Sequence, residues 1–189
     1  MFVLKNKYFL IIENTKDIEL SNIKIPNKFN IIYRNKNKSE NLGSLLNFRK
    51  ICKRKRINFY VSNNRILATL LKADGIYISA YNLDLTLSRL KSINYKIIGS
   101  AHNLKEINIK ILQGCTDIIY SRLFKTSYLN KKDFLGVIKF NLLNTKIQHL
   151  IPMGGIKMSN LNKLKSVNCE AVVILSEIKK KPAIIGRLF

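Results

Sequence analysis

The chain is poor in cysteine, proline and acidic side chains, and it contains no tryptophan. Its cysteines are an odd number, lie far apart and form no C-x-x-C pair; they are Cys52, Cys115 and Cys169. This pattern argues against a disulfide framework and a cysteine-based metal cluster. Free thiols are typical of a reducing compartment, so the sequence predicts a cytoplasmic protein.

Long hydrophobic runs are also missing. No segment approaches the roughly 18 apolar residues that a membrane-spanning helix needs. The apolar run within residues 1–14 is divided by lysines, is followed by acidic residues and lacks a small-residue cleavage site. We therefore expect a first strand there rather than a targeting segment, and no membrane partner.

The shortage of acidic residues, 11 against 34 Lys and Arg, gives a formal net charge of +23. Such a charge can indicate a nucleic-acid partner. However, the basic residues are spread along a chain rich in Lys, Asn and Ile, as an AT-rich genome would produce, and they are denser only at Lys50–Arg56 and Lys179–Lys181. Aromatic residues are not interleaved with them in a stacking motif. A compositional origin is favoured, and nucleic-acid binding is the weaker alternative.

Short β-rich apolar runs alternate with helix-like segments, which is typical of parallel βαβ units. Eight strands are predicted, at Tyr8–Ile12, Phe29–Arg34, Asn58–Ser62, Gly75–Ile78, Lys96–Ser100, Asp117–Ser121, Gln148–Met153 and Ala171–Leu175. Helices are predicted at Leu42–Lys55, Asn64–Lys72, Asp84–Ser92, Leu104–Gln113, Phe134–Leu143 and Ser159–Leu164. The length of 189 residues predicts one domain over residues 1–189.

Two stretches are too short or too interrupted for a full helix. Residues 13–28, which contain Pro26, join the first two strands, and the residues after Leu175 contain Pro182. A (β/α)8 barrel typically has about 250 residues, so a barrel here would be compact, with reduced first and last helices. A homodimer in which a partner subunit covers that flank is an open alternative.

A glycine pair ends the seventh predicted strand. In the stretch Gln148–Ile156, an apolar strand runs into Gly154 and Gly155, and the helix Ser159–Leu164 follows. Adjacent glycines at a strand end let backbone N–H groups face an anion, and the helix amino terminus adds partial positive charge. A tight turn without a ligand is the alternative interpretation.

Several short segments, in order and spacing, resemble one protein family. They are Ala73–Asn82 (ADGIYISAYN), Ile97–His102 (IIGSAH), Gly114–Thr126 (GCTDIIYSRLFKT), Met153–Ile156 (MGGI) and Ile174–Ile178 (ILSEI). Over about residues 58–178, the chain resembles the thiamine phosphate synthases and their thiazole tautomerase (TenI-like) relatives. The resemblance implies an α/β fold, the (β/α)8 TIM barrel, and a transferase of thiamine biosynthesis.

In that family, hydroxymethylpyrimidine diphosphate loses pyrophosphate, and the nitrogen of a thiazole phosphate captures the pyrimidine cation. The resemblance places Arg34 and Lys36 where the family pattern Q-x-R-x-K holds the diphosphate, although the glutamine is lost. A spacing of two residues puts both cations on one face of an extended segment, and a guanidinium fork suits a diphosphate. Two solvated loop cations are the alternative. Ser100 matches a family serine near the pyrimidine and completes the predicted catalytic set.

The resemblance also brings in a magnesium ion, but this chain departs from the pattern there. Asn63 is kept, whereas the two aspartates that bind the ion are replaced by Asn64 and Asn82. Mg²⁺ sites normally contain carboxylates together with substrate phosphates, and an amide carries no charge. We therefore predict substrate-binding asparagines, no metal site of the protein's own, and Mg²⁺ only together with a substrate diphosphate.

The remaining matches concern the phosphate of the thiazole substrate. They are Thr126, Gly154, Gly155 and Ser176. In such barrels, phosphate sites commonly follow the seventh and eighth strands. A rim hydroxyl and a turn are the alternative interpretations.

Histidine positions bear on the tautomerase branch, which has a histidine in the loop after the sixth strand. This chain has Arg122 there. His102, after the fifth strand, is a candidate proton shuttle near neutral pH, with a structural residue at the start of a helix as the favoured alternative. His149 is predicted to be a structural residue inside the seventh strand.

Three functions stay open from the sequence. The first is a thiamine phosphate synthase-like transferase, impaired by the loss of both aspartates. The second is a non-catalytic or tautomerase-like binder of a phosphorylated thiamine precursor. The third is a basic nucleic-acid-associated barrel protein, because a fold alone does not fix a function.

Overall fold

Eight parallel strands form the centre of a computed structural model of the chain, which describes residues 5–23, 25, 27–35, 40–93, 95–126, 133–147 and 149–174. The strands are β1 (Lys7–Ile12), β2 (Phe29–Tyr33), β3 (Asn58–Ser62), β4 (Gly75–Ile78), β5 (Lys96–Ala101), β6 (Asp117–Ser121), β7 (Leu150–Met153) and β8 (Ala171–Ile174). They pair in sequence order, and β8 pairs back with β1 to close a barrel. The predicted (β/α)8 class is confirmed.

The start of the seventh strand was predicted wrongly, whereas the other described strand ends agree with prediction to within one residue. The seventh strand was expected to begin at Gln148, but β7 begins at Leu150. His149 has φ 55°, a left-handed conformation that no strand residue adopts. His149 therefore precedes β7 instead of lying within it.

The helical segments differ more from prediction than the strands do. The α-helices are α1 (Leu42–Arg54), α2 (Arg65–Leu70), α3 (Leu104–Leu112) and α4 (Gly136–Ile147). Two further predicted helices are 3-10 helices, at Leu85–Ile93 and Met158–Ser166. A 3-10 helix rises about 2.0 Å per residue against 1.5 Å for an α-helix, so a short connection returns along the barrel with fewer residues.

The connection after β1 confirms the reduced first helix. Its described residues contain only two 3-10 turns, Thr15–Asp17 and Leu20–Asn22. The predicted last helix lies outside the described residues. None of the helices in the described part of the chain is long and apolar enough to cross a membrane.

Asparagine side chains fix where three α-helices begin. The Oδ1 atoms of Asn41, Asn64 and Asn103 accept from Gly43 N at 2.8 Å, Leu67 N at 2.9 Å and Glu106 N at 2.9 Å. Each such cap stabilises a helix by about 1 kcal/mol. The caps of α2 and α3 also hold the loops that precede these helices.

The core has two layers because strand side chains alternate between the two faces of the barrel wall. The interior layer includes Phe9, Ile32, Tyr60, Tyr77, Ile98, Ile119 and Val173. The layer between the wall and the helices includes Leu45, Phe48, Cys52, Phe59, Ile107 and Phe140. Side chains thus fill the barrel interior, which leaves the rim as the place where a ligand can bind.

Candidate active site

The carboxyl ends of the strands meet at one rim of the barrel, where proteins of this architecture place their functional residues. Ile32 and Ile98 pack in the barrel interior. Arg34 and Ser100 come two residues later along the same chain segments, and the two-residue period of a strand directs them to the same side. Ser100 is buried, 5% exposed. Arg34 and Ser100, two of the three predicted catalytic residues, therefore belong to the inner side of the rim.

Arg34 follows the last residue of β2. Its backbone N–H donates to Ile12 O at 2.8 Å, which aligns Arg34 with the end of β1. Its Nε atom is buried and has no acceptor among the described residues. Leaving such a group unsatisfied costs roughly 1–3 kcal/mol, so an oxygen atom of a ligand would be stabilised there. Lys36 lies outside the described residues, and its place beside Arg34 stays a prediction.

Two of the predicted asparagines are in direct contact. Asn82 Nδ2 donates to Asn63 Oδ1 at 3.2 Å, although the residues follow different strands. Ser79 joins them, because Asn63 Nδ2 donates to Ser79 Oγ at 2.9 Å and Ser79 N donates to Asn63 Oδ1 at 3.0 Å. Asn63 has φ 54°, a conformation that Asn tolerates better than most residues. Asn63, Ser79 and Asn82 form what we name the asparagine cluster.

The third predicted asparagine, Asn64, has a different role from its neighbour. Its side-chain oxygen accepts from Leu67 N and caps α2. The Oδ1 atom of Asn82 is likewise used, since it accepts from Asp84 N at 2.8 Å. Asn64 and Asn82, at the positions that resemble the family's metal ligands, therefore carry no charge. Their side-chain oxygen atoms already accept hydrogen bonds from backbone N–H groups.

Nearby acidic side chains in the described residues do not replace the missing carboxylate ligands. Asp84 is close in sequence to the asparagine cluster, but its Oδ1 accepts from Thr86 N at 2.9 Å and from Thr86 Oγ1 at 2.6 Å. Within the described residues, no group of three His, Cys, Asp or Glu side chains could hold a metal ion. Because Mg²⁺ binds through carboxylates, the residues of this rim do not fit an autonomous magnesium site.

Beneath the asparagine cluster lies a buried polar pair that the sequence did not reveal as part of the site. Lys110 and Gln113 of the α3 segment have no exposed surface. Lys110 Nζ donates to Asn82 O at 2.8 Å and to Gln113 Oε1 at 2.8 Å. Gln113 Nε2 donates to Asn82 O at 2.9 Å and to Asp84 O at 3.1 Å. The available signal was a lysine and a glutamine three positions apart, on the same face as buried Ile107.

The loops after β6 and β7 are held together by their backbones. Leu123 N donates to Met153 O at 2.9 Å, and Phe124 N donates to Gly154 O at 3.0 Å. Gly155 has φ 68°, and a Cβ there would lie 2.6 Å from Lys125 O. Only glycine fits this crossing.

The predicted residues of the thiazole-phosphate site lie in these two loops, with one exception. Arg122 Nη1 donates to Thr126 Oγ1 at 3.5 Å, a long contact. A Cβ on Gly154 would lie 3.0 Å from the Arg122 side chain. Thr126 and the glycine pair are thus linked through Arg122, while Ser176 lies outside the described residues and stays a prediction.

His102 lies between β5 and α3. Its ring Nδ1 is 2.9 Å from Glu106 Oε2, and its backbone N–H donates to the same oxygen at 2.7 Å. The ring also lies beside exposed Tyr81, with 6.1 Å between centroids. Burial raises the pKa of Glu106, but hydrogen bonds from His102 and Asn103 lower it further, so the net shift is downward. These contacts agree with a structural residue at the start of α3.

A cavity of about 530 Å³ lies at the opposite end of the barrel, where the strands begin. Among its lining residues, Lys96 and Asp117 form an ion pair of 2.8 Å, and His149 lies nearby in the lining. Residues at this end of such barrels serve stability rather than chemistry. We therefore place the candidate site at the rim.

Comparison with known sequences identifies the family of the chain. The family model for thiamine monophosphate synthase matches residues 20–178. A thiamine-phosphate synthase of Prochlorococcus marinus subsp. pastoris is 31% identical over 148 residues, which cover 76% of this chain and 42% of that protein. The thiamine-phosphate synthase of Lawsonia intracellularis is 28% identical over 185 residues, which cover 94% of this chain and 82% of that protein. The chain spans only 38% to 50% of the three Prochlorococcus marinus relatives.

A solved structure shows the same fold. Thiamine phosphate pyrophosphorylase from Pyrococcus furiosus has a TM-score of 0.73 and 13% sequence identity, and the match covers 97% of this chain and 93% of that chain. At this identity, the likeness concerns the barrel alone. The sequence model, in contrast, covers most of the chain and includes the rim segments described above. This chain belongs to the thiamine monophosphate synthase family.

Proposed function

We propose that this protein is a thiamine phosphate synthase-like transferase, which couples hydroxymethylpyrimidine diphosphate to a thiazole phosphate and releases pyrophosphate. The observation that carries the proposal is the buried Arg34 Nε, which lacks an acceptor among the described residues. Arg34 follows β2, and the asparagine cluster follows the adjacent strands β3 and β4. A cation and amide groups are thus gathered where a diphosphate would lie.

In this proposal, Arg34 stabilises the negative charge that develops on the departing pyrophosphate. A preorganised hydrogen-bond donor stabilises the transition state more than the bound substrate. Losing one such donor lowers kcat about 100-fold to 1,000-fold. Ser100, on the inner side of the rim, contacts the pyrimidine. Lys36 assists Arg34.

The thiazole phosphate is assigned to the loops after β6 and β7. Gly154 and Gly155 let the loop after β7 lie directly against Arg122 and the backbone of the loop after β6, and Thr126 offers a hydroxyl next to Arg122. A phosphate bound there is separated from the diphosphate side by β5, which carries Ser100. The two anions therefore approach from opposite sides of the reacting pyrimidine, which limits their repulsion.

A second candidate function is a binder of a phosphorylated thiamine precursor without turnover. Asn64 and Asn82 favour it, since their side-chain oxygens are engaged with backbone N–H groups. Magnesium would then join only together with a substrate diphosphate.

An activity assay separates the two. Purified protein is incubated with both precursors and Mg²⁺, and thiamine phosphate is quantified. We expect product from the natural chain and a loss of at least about 100-fold in kcat/KM for Arg34→Met. Arg54→Met, which removes an equal charge from the exposed end of α1, is the matched control and should stay within about twofold of the natural chain.

The absence of product from both the natural chain and the double variant Asn64→Asp, Asn82→Asp would eliminate the transferase proposal. A thermal shift with either precursor would then support the binder. A ligand at 100 times its Kd stabilises the folded state by about 2.7 kcal/mol.

A further inference from the structure

Lys110 is a fully buried basic side chain at the edge of the candidate site. Its Nζ atom lies 2.8 Å from the carbonyl oxygen of Asn82, and the side chain of Asn82 contacts Asn63. The amine is therefore about one residue away from the surface of the asparagine cluster. Lys110 therefore supports the site from beneath the rim, and its side chain does not reach the rim surface.

The surroundings of Lys110 suit an ammonium group. Both recorded partners of its Nζ atom, Asn82 O and Gln113 Oε1, are acceptors, and an ammonium carries only donors. Burial lowers the pKa of Lys110, and although Cys115 and Glu106 act in the opposite direction, the net shift is downward. A buried charge is screened little by water, so its field extends to the rim above.

That field acts on ions of opposite sign in opposite ways. A divalent cation placed on the asparagine cluster would be repelled by the ammonium of Lys110 and would find amides in place of carboxylates. A diphosphate in the same place would be attracted. Asn64 and Asn82, which resemble the family's metal-ligand positions, are thus matched to an anion rather than to Mg²⁺.

Arg34 adds a second positive charge on the same side of the barrel. Tyr33 pairs with Val61, and Val61 pairs with Ile76, so the next residue, Arg34, comes level with Ser62 and Tyr77 near the ends of β3 and β4. Adjacent strands are about 4.8 Å apart. Arg34 and the end of β4 are therefore roughly 10 Å apart, a span that one diphosphate and its first contacts fill.

We propose that this protein holds the diphosphate of its substrate without a divalent metal ion, with Arg34 at the rim and buried Lys110 beneath it supplying the positive charge. The identity of the anion rests on the proposed function. Lys110 is also a positioning residue for the loop after β4, because Lys110 and Gln113 both donate a hydrogen bond to Asn82 O.

The first test needs no variant. Pyrophosphate is titrated calorimetrically into the natural protein in EDTA and, separately, in excess Mg²⁺. We expect binding in EDTA with a Kd within about threefold of the value in Mg²⁺. Binding that occurs only with Mg²⁺ would overturn the proposal. Because this readout involves no turnover, an inactive protein that binds pyrophosphate in EDTA would contradict only the transferase proposal.

The second test distinguishes the effect of the Lys110 charge from the effect of its hydrogen bond to the loop after β4. Lys110→Met keeps an unbranched side chain over Gly99 but removes the charge, whereas Gln113→Met removes neutral hydrogen bonds to the same carbonyl groups. We expect Lys110→Met to weaken pyrophosphate binding in EDTA about tenfold or more, and Gln113→Met less than about threefold. Equal weakening by both variants would assign Lys110 to loop support alone and refute its electrostatic role. Circular dichroism and the melting temperature establish that each variant is folded.

Discussion

Arg49 and Asp74 connect α1 to the amino-terminal side of β4 through an ion pair of 2.9 Å. Arg49 also donates from Nε and Nη2 to Lys72 O, at 3.1 and 2.9 Å. The second carboxylate oxygen of Asp74 accepts from Phe59 N at 2.7 Å. Asp74 belongs to the segment ADG that resembles the family, and its role in the structure is to join a helix to the barrel wall at the end remote from the candidate site.

The substitution Arg49→Met should therefore destabilise the fold without weakening ligand binding. It removes a nearly buried guanidinium that satisfies one carbonyl and one carboxylate, and we expect a loss of about 2–4 kcal/mol in the free energy of unfolding. Urea denaturation measures this loss. Lys96→Met, which breaks the more exposed pair with Asp117, is the control and should cost less than about 1 kcal/mol. Equal costs for the two variants would contradict the assignment.

Gly155→Ala should damage the contact between the loops after β6 and β7. Gly155 has φ 68°, and a Cβ would collide with the backbone at Phe124 and Lys125. We expect a loss of about 2–5 kcal/mol from conformational strain and overpacking together. Gly136→Ala is a matched control, since Gly136 has φ 74° and nothing within 4 Å of the added Cβ; it should cost about 1 kcal/mol. Denaturation midpoints of the two variants decide between strain alone and collision.

The acid side of the stability profile should depend on Glu106. Its pKa lies below the ordinary value of 4.5, so the folded state binds fewer protons than the unfolded state in that range. The contribution of Glu106 is fully present above about pH 5 and is lost as the pH falls through its folded-state pKa. Glu106→Gln should lower stability near neutral pH and flatten the profile below pH 4.5. Parallel profiles of variant and natural protein would contradict this.

The cysteines should be inert in the folded protein. Burial raises the pKa of Cys52 and Cys115 to about 12 and that of Cys169 to about 11. Because the thiolate is the reactive form, a disulfide reagent near pH 8 should react slowly with native protein. Unfolding in guanidinium chloride should release the three thiols at once. Rapid labelling of native protein would show that one of them is exposed to solvent.

The positions of the strands could be predicted from the sequence because each strand is a short apolar run bounded by polar residues. The runs around Ile32, Phe59 and Ile119 are buried on both faces of the wall, and such runs are recognisable without knowing their partners. The cap residues Asn64 and Asn103 were equally local signals. Strands and helix caps, which depend on residues close together along the chain, were therefore predictable.

The site was only partly predictable because its contacts join distant segments. Asn63 and Asn82 were selected through the family resemblance, but their hydrogen bond through Ser79 depends on the pairing of β3 with β4. Lys110 looked like any other basic residue, since composition hides one buried lysine among many exposed ones. The wrong start of β7 has a local cause, the left-handed conformation of His149.

The stem of Lys110 passes directly over Gly99, in the middle of β5. A Cβ on Gly99 would lie 2.9 Å from Lys110 Cγ and Cδ and 2.8 Å from Cys115 Sγ. A larger residue at position 99 and a long one at position 110 therefore exclude each other. A redesign that places alanine at position 99 must therefore shorten both residue 110 and residue 115, and shortening residue 110 removes, in the same step, the charge beneath the rim.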